Sequence, residues 1–217
     1  MELQLYADPC TVNCRKVLAG ANLLEVELTL VRQSFFGGDQ QSEAFLALNP
    51  NGMLPALRHG EFVLWESDVI LQYLACLGEP SSSYPTEVQS RADVHRWQAW
   101  SSAQWFSACY PFLIENGVKG HSGEPADQAL LDAAAPVFHR FAAVLNEHLG
   151  GRRWMVGDAP TLADISVAAP MHLHPAQRLP LESYPAILAW YERVASLDCW
   201  KATDPWPHFP SASGDKA

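Results

Sequence analysis

Three short stretches of this chain gather side chains that could seat and activate a small polar ligand. The first, Asp8-Pro9-Cys10-Thr11-Val12-Asn13-Cys14-Arg15-Lys16, joins a strand-like pattern to a helix-like one and so brings two thiols, a hydroxyl and a carboxamide to a helix start. Such a start carries unpaired N–H groups and the positive end of the helix dipole. A thiol held there is acidified: lowering its pKa by ~2 units from the usual ~8.5 favours thiolate by ~2.7 kcal/mol. Each residue also has an ordinary use, Thr11 as a helix cap, Asn13 as a surface residue and Cys14 as a small core side chain. The second stretch is Glu66-Ser67-Asp68 at a strand-to-helix junction, where Ser67 reads as the N-cap. Free N–H groups there suit a carboxylate and Glu66 suits an ammonium, which together describe an amino-acid terminus. In the third, Leu54-Pro55 opens a strand after Asn49-Pro50-Asn51-Gly52-Met53. A cis peptide would let Leu54 offer its N–H and C=O sideways to an extended ligand, as a sheet edge does.

Phe35, Phe36, Trp105, Phe106, Tyr110 and Phe112 could wall an apolar pocket or fill a core, and Trp206, His208 and Phe209 could cover that pocket or simply pack. Thr161-Leu162-Ala163-Asp164 has the form of a capping box, so Asp164 reads as a folding element whose loss as alanine costs ~0.5–2 kcal/mol. His172 and His174 stand one residue apart and would point in different directions on a helix. The five cysteines are odd in number, spread out and without zinc spacing, which predicts a reducing compartment and no metal.

The elements that must position these groups fall into two kinds. Alternating residues from Leu3, a helical face over Val12 to Ala21, a period-two strand over Val26 to Val31, a short helix through Phe45, two strands around Arg58-His59-Gly60-Glu61 and a helix from Ser67 to Leu77 spell βαβαββα. Gly, Pro and Ser then collect at 78–85, and beyond them only helical patterns follow, over 88–110, 125–149, 161–171 and 184–200, with a polar tail from Ser211.

Composition narrows the function. Net charge is −10 without a basic block, which argues against nucleic acid and anionic membrane as partners. At 48% hydrophobic and only 18% charged, the chain needs a large core or a buried subunit contact. No run of apolar residues is long enough to span a bilayer, and the start shows no leader pattern, so a cytoplasmic protein is expected.

Four segments together resemble the cytosolic glutathione S-transferase family, in its bacterial, Ser/Thr-type theta-like or nu-like form, over residues 1 to about 205. They are Thr11-Val12-Asn13-Cys14-Arg15-Lys16-Val17, Phe45 through Leu57, Trp65 through Leu74, and Gly157 through Ile165. The resemblance implies an α+β thioredoxin-like domain with a mixed four-stranded sheet over 1–78, a linker at 79–87 and an all-helical domain over 88–217. It also implies glutathione as cosubstrate along the backbone of Leu54 beside a cis Pro55, with the γ-glutamyl end at Glu66 and Ser67. Thr11 then stands where the family's activating hydroxyl lies, with Asn13 assisting. Tyr6 is a weaker rival, and Cys10 a stronger one, because beta-like and omega-like members carry a cysteine nearby that turns the chemistry to thiol exchange. Gln40 and Met53 occupy positions where members often carry basic residues for the glycyl carboxylate, so modest affinity is expected. The implied activity is attack of the glutathione thiolate on an apolar electrophile held by Phe35, Trp105, Phe106 and Tyr110, in a homodimer. The alternatives are glutathione-dependent disulfide or peroxide reduction and a non-catalytic binding protein on the same scaffold.

Overall fold

The computed structural model describes residues 2–210; the polar tail from Ser211 lies outside them. The chain divides into two compact units, one running to Thr86 and completed by Asp198–Phe209, the other built on Glu87–Leu197. The first unit is the expected mixed sheet with helices. Strands β1 (Leu3–Ala7), β2 (Thr29–Arg32), β3 (Ala56–His59) and β4 (Phe62–Trp65) lie in the order β2-β1-β3-β4. β1 and β2 are parallel, while β3 is antiparallel to both β1 and β4. The β3–β4 turn is only Gly60-Glu61, because His59 already pairs with Phe62, and Gly60 supplies a positive φ of 63°.

The register decides where the loops go. Ala7 pairs with Arg32, Tyr6 with Ala56 and Ala56 with Trp65. The end of β1, the end of β2, the beginning of β3 and the end of β4 therefore lie on one edge of the sheet. All three chemical stretches of the sequence, and Phe35, emerge at that edge.

Helices α1 (Val12–Leu23) and α3 (Ser67–Leu77) pack together in this unit, and α2 (Glu43–Leu46) follows a single 3-10 turn at Asp39–Gln41. Gly20 lets α1 and α3 approach: a Cβ there would collide with the fully buried Leu71 side chain. The sequence pattern assigned Asp198–Phe209 to the helical half, but the segment completes the first unit. The Arg15 guanidinium explains the attachment, lying 4.1 Å over the Trp200 ring while donating to the Trp200 carbonyl at 3.3 Å.

The second unit is all helical. Its first helical run is α4 (Val88–Trp100), a wider π-turn at Ser101–Trp105, α5 (Phe106–Phe112), a second π-turn at Leu113–Val118 and α6 (Lys119–Ser122). Pro111 inside α5 lacks the N–H that closes an ordinary helical bond. There follow α7 (Gln128–Leu149), α8 (Leu162–Ala168) and α9 (Pro185–Ser196), while α10 (Asp198–Lys201) returns to the first unit. The core of the second unit centres on Trp105, Phe138, Leu145, Leu162 and Trp190, all fully buried. Among the described residues no helix is long and apolar enough to cross a membrane.

Candidate active site

The turn after β1 is organised by Asp8, which pattern reading took only as a strand breaker. Its buried carboxylate accepts from the Cys10 N–H at 3.2 Å and the Phe35 N–H at 2.8 Å. The same residue's carbonyl accepts from the Thr11 N–H and from the Thr11 hydroxyl, each at 3.0 Å. One side chain thus closes the turn that launches α1 and ties it to the loop after β2. The signal was present as Asp-Pro ahead of a helix start.

Thr11 is the N-cap of α1, yet its side chain caps no helical N–H and lies half-buried against the Asp8 carbonyl. Asn13, also half-buried, leaves its amide without a hydrogen bond among the described residues. The cysteines correct the sequence reading. Cys10 is only 3% exposed, and burial, reinforced by the Asp8 carboxylate, pushes its thiol far above the usual range. Burial likewise drives the Cys14 thiol up to about 12, although hydrogen bonds from Thr11 and Asp8 pull the other way. The helix start therefore does not acidify the protein's own thiols, because the low-dielectric interior outweighs the dipole. All five cysteines are free thiols.

The loop before β3 is shaped by a second residue that pattern reading passed over. Asn49, 2% exposed, donates from its amide to the Met53 carbonyl at 2.7 Å and accepts from the Asn51 N–H at 3.1 Å. The Leu54–Pro55 peptide is cis, and the sheet ladder begins only at Ala56. The N–H and C=O of Leu54 carry no intrachain hydrogen bond among the described residues. Met53 is 65% exposed and brings no charge. Gln40 donates to the Phe35 carbonyl at 3.2 Å, so part of its hydrogen-bonding capacity stays within its own loop.

At the end of β4 the cap is Glu66, not Ser67. Glu66 adopts φ 73° and ψ 106°, outside the common regions for a residue with a Cβ, and its carbonyl starts the helix by accepting from Ile70. The chain has to turn there directly from Trp65 into α3. Glu66 is exposed, while Ser67, one position into the helix, is 8% exposed. The Ser67 Oγ accepts from the Lys16 ammonium at 3.0 Å, and the same ammonium pairs with Asp68 at 3.0 Å. Lys16 is itself buried, on a face of α1 shared with Val12 and Gly20. A lysine at such a position needs a partner, which is the sequence signal that could have exposed it.

The aromatic residues separate. Phe35 and Phe36 are 42% and 49% exposed, meet edge to face at 5.5 Å and extend through Phe36 to Phe209 at 6.1 Å. In the second unit Phe106 and the 45%-exposed Tyr110 stack at 5.5 Å. Trp105, expected to wall a pocket, is a core residue instead: it has no exposed surface, and its indole N–H donates to the Val167 carbonyl at 3.1 Å. A π-turn carries it inward onto Phe138, 5.2 Å away.

Asp164 serves its helix start as the capping pattern predicted, but with more partners. One oxygen accepts from the Met155 N–H and the Trp190 indole N–H, each at 2.8 Å; the other accepts from the Thr161 N–H at 2.8 Å and hydroxyl at 3.0 Å. Burial raises its pKa, and these four donors offset that only in part. Among the described residues no cluster of three or more His, Cys, Asp or Glu is placed to hold a metal ion.

Comparison with known proteins agrees with this architecture. Residues 1–76 match the glutathione S-transferase N-terminal domain and residues 97–198 the C-terminal domain. The chain is 28% identical over 194 residues to glutathione S-transferase GstB of Escherichia coli (strain K12), covering 88% of this chain and 92% of that one. It is 29% identical over 206 residues to glutathione S-transferase theta-1 of Homo sapiens, covering 89% and 82%. A solved delta-class glutathione transferase of Nilaparvata lugens superposes with a TM-score of 0.77 at 26% identity, over 93% of this chain and 92% of that one. With both of its halves matched in order, the chain belongs to the glutathione S-transferase family.

Proposed function

We propose that this protein binds glutathione at the sheet edge described above and activates its thiol for attack on an apolar electrophile. The observation that supports this best is the register: it gathers the Thr11 hydroxyl, the uncommitted backbone of Leu54 and the Glu66–Ser67 helix start on one edge. Those groups match the thiol, the peptide and the amino-acid end of the tripeptide in turn. In this reading Leu54 pairs with the cysteinyl backbone, the first turn of α3 and Ser67 hold the γ-glutamyl carboxylate, and Glu66 meets its ammonium. Thr11 turns its hydroxyl proton from the Asp8 carbonyl to the bound sulfur and stabilises the thiolate, with the Asn13 amide as a second donor. The protein's contribution is an ionised nucleophile held close to its target. Gln40 and Met53 offer the glycyl carboxylate no charge, which fits modest affinity.

For the electrophile we assign Phe35 and Phe36 of the first unit, on the strength of their exposure and their edge-to-face contact. Thiol exchange through Cys10 is disfavoured by the burial of that thiol. We further assign the protein to the cytoplasm as a homodimer; five free thiols and the low charged fraction support those two readings. Retention on immobilised glutathione, followed by turnover of an aryl halide with glutathione, tests the function. Retention without turnover of any electrophile would support a binding protein instead, and failure to be retained would remove the glutathione site.

A further inference from the structure

The Lys16–Ser67–Asp68 cluster carries an inference that rests on the glutathione reading and deepens it. The Lys16 side chain is 4% exposed and its Nζ lies 3.0 Å from both the Ser67 Oγ and an Asp68 carboxylate oxygen. An ammonium has three donors and no acceptor, so in the Lys16 contact Ser67 can only accept. The Ser67 hydroxyl proton must then go elsewhere, and among the described residues it has no acceptor. A hydroxyl that accepts from a cation is also polarised into a better donor. Asp68 balances the buried ammonium, so Lys16 can sit in the interior as a fixed charge. The result is an oriented O–H in the first turn of α3, where N–H groups and the helix dipole already favour an anion.

We propose that Lys16 is a positioning residue for glutathione selection: it fixes Ser67 as a donor toward the α-carboxylate of the γ-glutamyl end without touching the ligand itself. Lysine on the inner face of α1 thereby helps the site distinguish a ligand with that carboxylate from one without it.

The test compares two thiols, glutathione and its analogue with 4-aminobutyrate in place of the γ-glutamyl residue, which lacks only that carboxylate. Lys16→Met should raise KM for glutathione roughly tenfold while kcat stays within about twofold, the signature of lost binding rather than lost chemistry. KM for the analogue should not change. Adding Lys16→Met to Ser67→Ala should cost no more than Ser67→Ala alone, because both act through one hydroxyl. Should Lys16→Met fold poorly, Lys16→Met/Asp68→Asn removes the stranded carboxylate charge and should show the same split between the two thiols. Equal loss with both thiols would mark Lys16 as a structural ion-pair partner and overturn the proposal, as would an unchanged glutathione KM in an active enzyme. If the wild-type chain binds neither thiol, the glutathione reading itself fails, and this inference with it.

Discussion

Replacing Asp164 with alanine should unfold this protein more readily than the loss of an ordinary helix cap. The carboxylate accepts from three rigid N–H donors, those of Met155, Thr161 and the Trp190 indole, each at 2.8 Å. The Thr161 hydroxyl, at 3.0 Å, can rotate to a new partner, but the three N–H groups cannot. An orphaned buried donor costs about 1–3 kcal/mol. Against that total stands the desolvation of the carboxylate, several kcal/mol, which the substitution relieves. The balance is a net loss of about 2–5 kcal/mol, at or above the upper end of the ~0.5–2 kcal/mol of a simple cap and a large part of the ~5–15 kcal/mol that holds a typical protein together. Urea unfolding followed by tryptophan fluorescence measures the loss, with Trp190 a natural reporter because its N–H is one of the three orphans. Glutathione affinity in the folded fraction should stay at the wild-type value. A loss below about 1 kcal/mol, or wild-type stability with abolished turnover, would refute the assignment of Asp164 to folding.

Other outcomes follow from the same geometry. Burial raises the folded-state pKa of Asp164 above its unfolded value, so the folded protein binds that proton more tightly. The stability this contributes is full below the unfolded pKa, ~3.9, and is lost as pH rises through the raised folded value, so the wild-type advantage over Asp164→Ala should narrow across that window in pH-resolved urea titrations. Native alkylation at neutral pH should label the exposed Cys76 first and spare Cys10 and Cys14, whose thiols are both buried and held in the protonated form by that burial. Prompt modification of Cys10, traced by peptide mass mapping, would reopen the thiol-exchange reading. Asp8→Ala removes the acceptor for two N–H groups and unties the Phe35 loop from the α1 turn. It should cut kcat/KM about tenfold or more with lowered stability, whereas Asp8→Asn, which keeps one acceptor oxygen, should retain part of both.

Much of this architecture was legible because local signals agreed. The alternating run at Leu3, the two short strands flanking a hairpin turn at 58–61, the helical face over Ser67 to Leu77 and the Gly, Pro and Ser cluster before the helical half each pointed to one arrangement. What stayed hidden depended on long-range partners. Asp8 looked like punctuation until its oxygens met Cys10 and Phe35, and nothing local to Lys16 announced Ser67 and Asp68, far along the chain, as its partners. Trp105 could not be told from its aromatic neighbours because its inward turn arises in a π-helical stretch that a 3.6-residue period does not reveal. The cysteines were misjudged because a helix start favours thiolate while burial opposes it, and only the folded environment decides between them. Ser67 was placed one position early, since Glu66 caps α3 in a backbone conformation unusual for its residue type.

On the proposed function, Thr11 holds the glutathione sulfur as thiolate at the start of α1. That claim is tested most directly by titrating the ultraviolet thiolate absorbance of glutathione bound to the wild-type protein and to Thr11→Val. The wild type should show a midpoint clearly below the ~8.5 of a free thiol, and Thr11→Val should move it back toward that value with binding retained. Bound glutathione that ionises at the same pH in both proteins, or at the free-thiol value in the wild type, would contradict the claim.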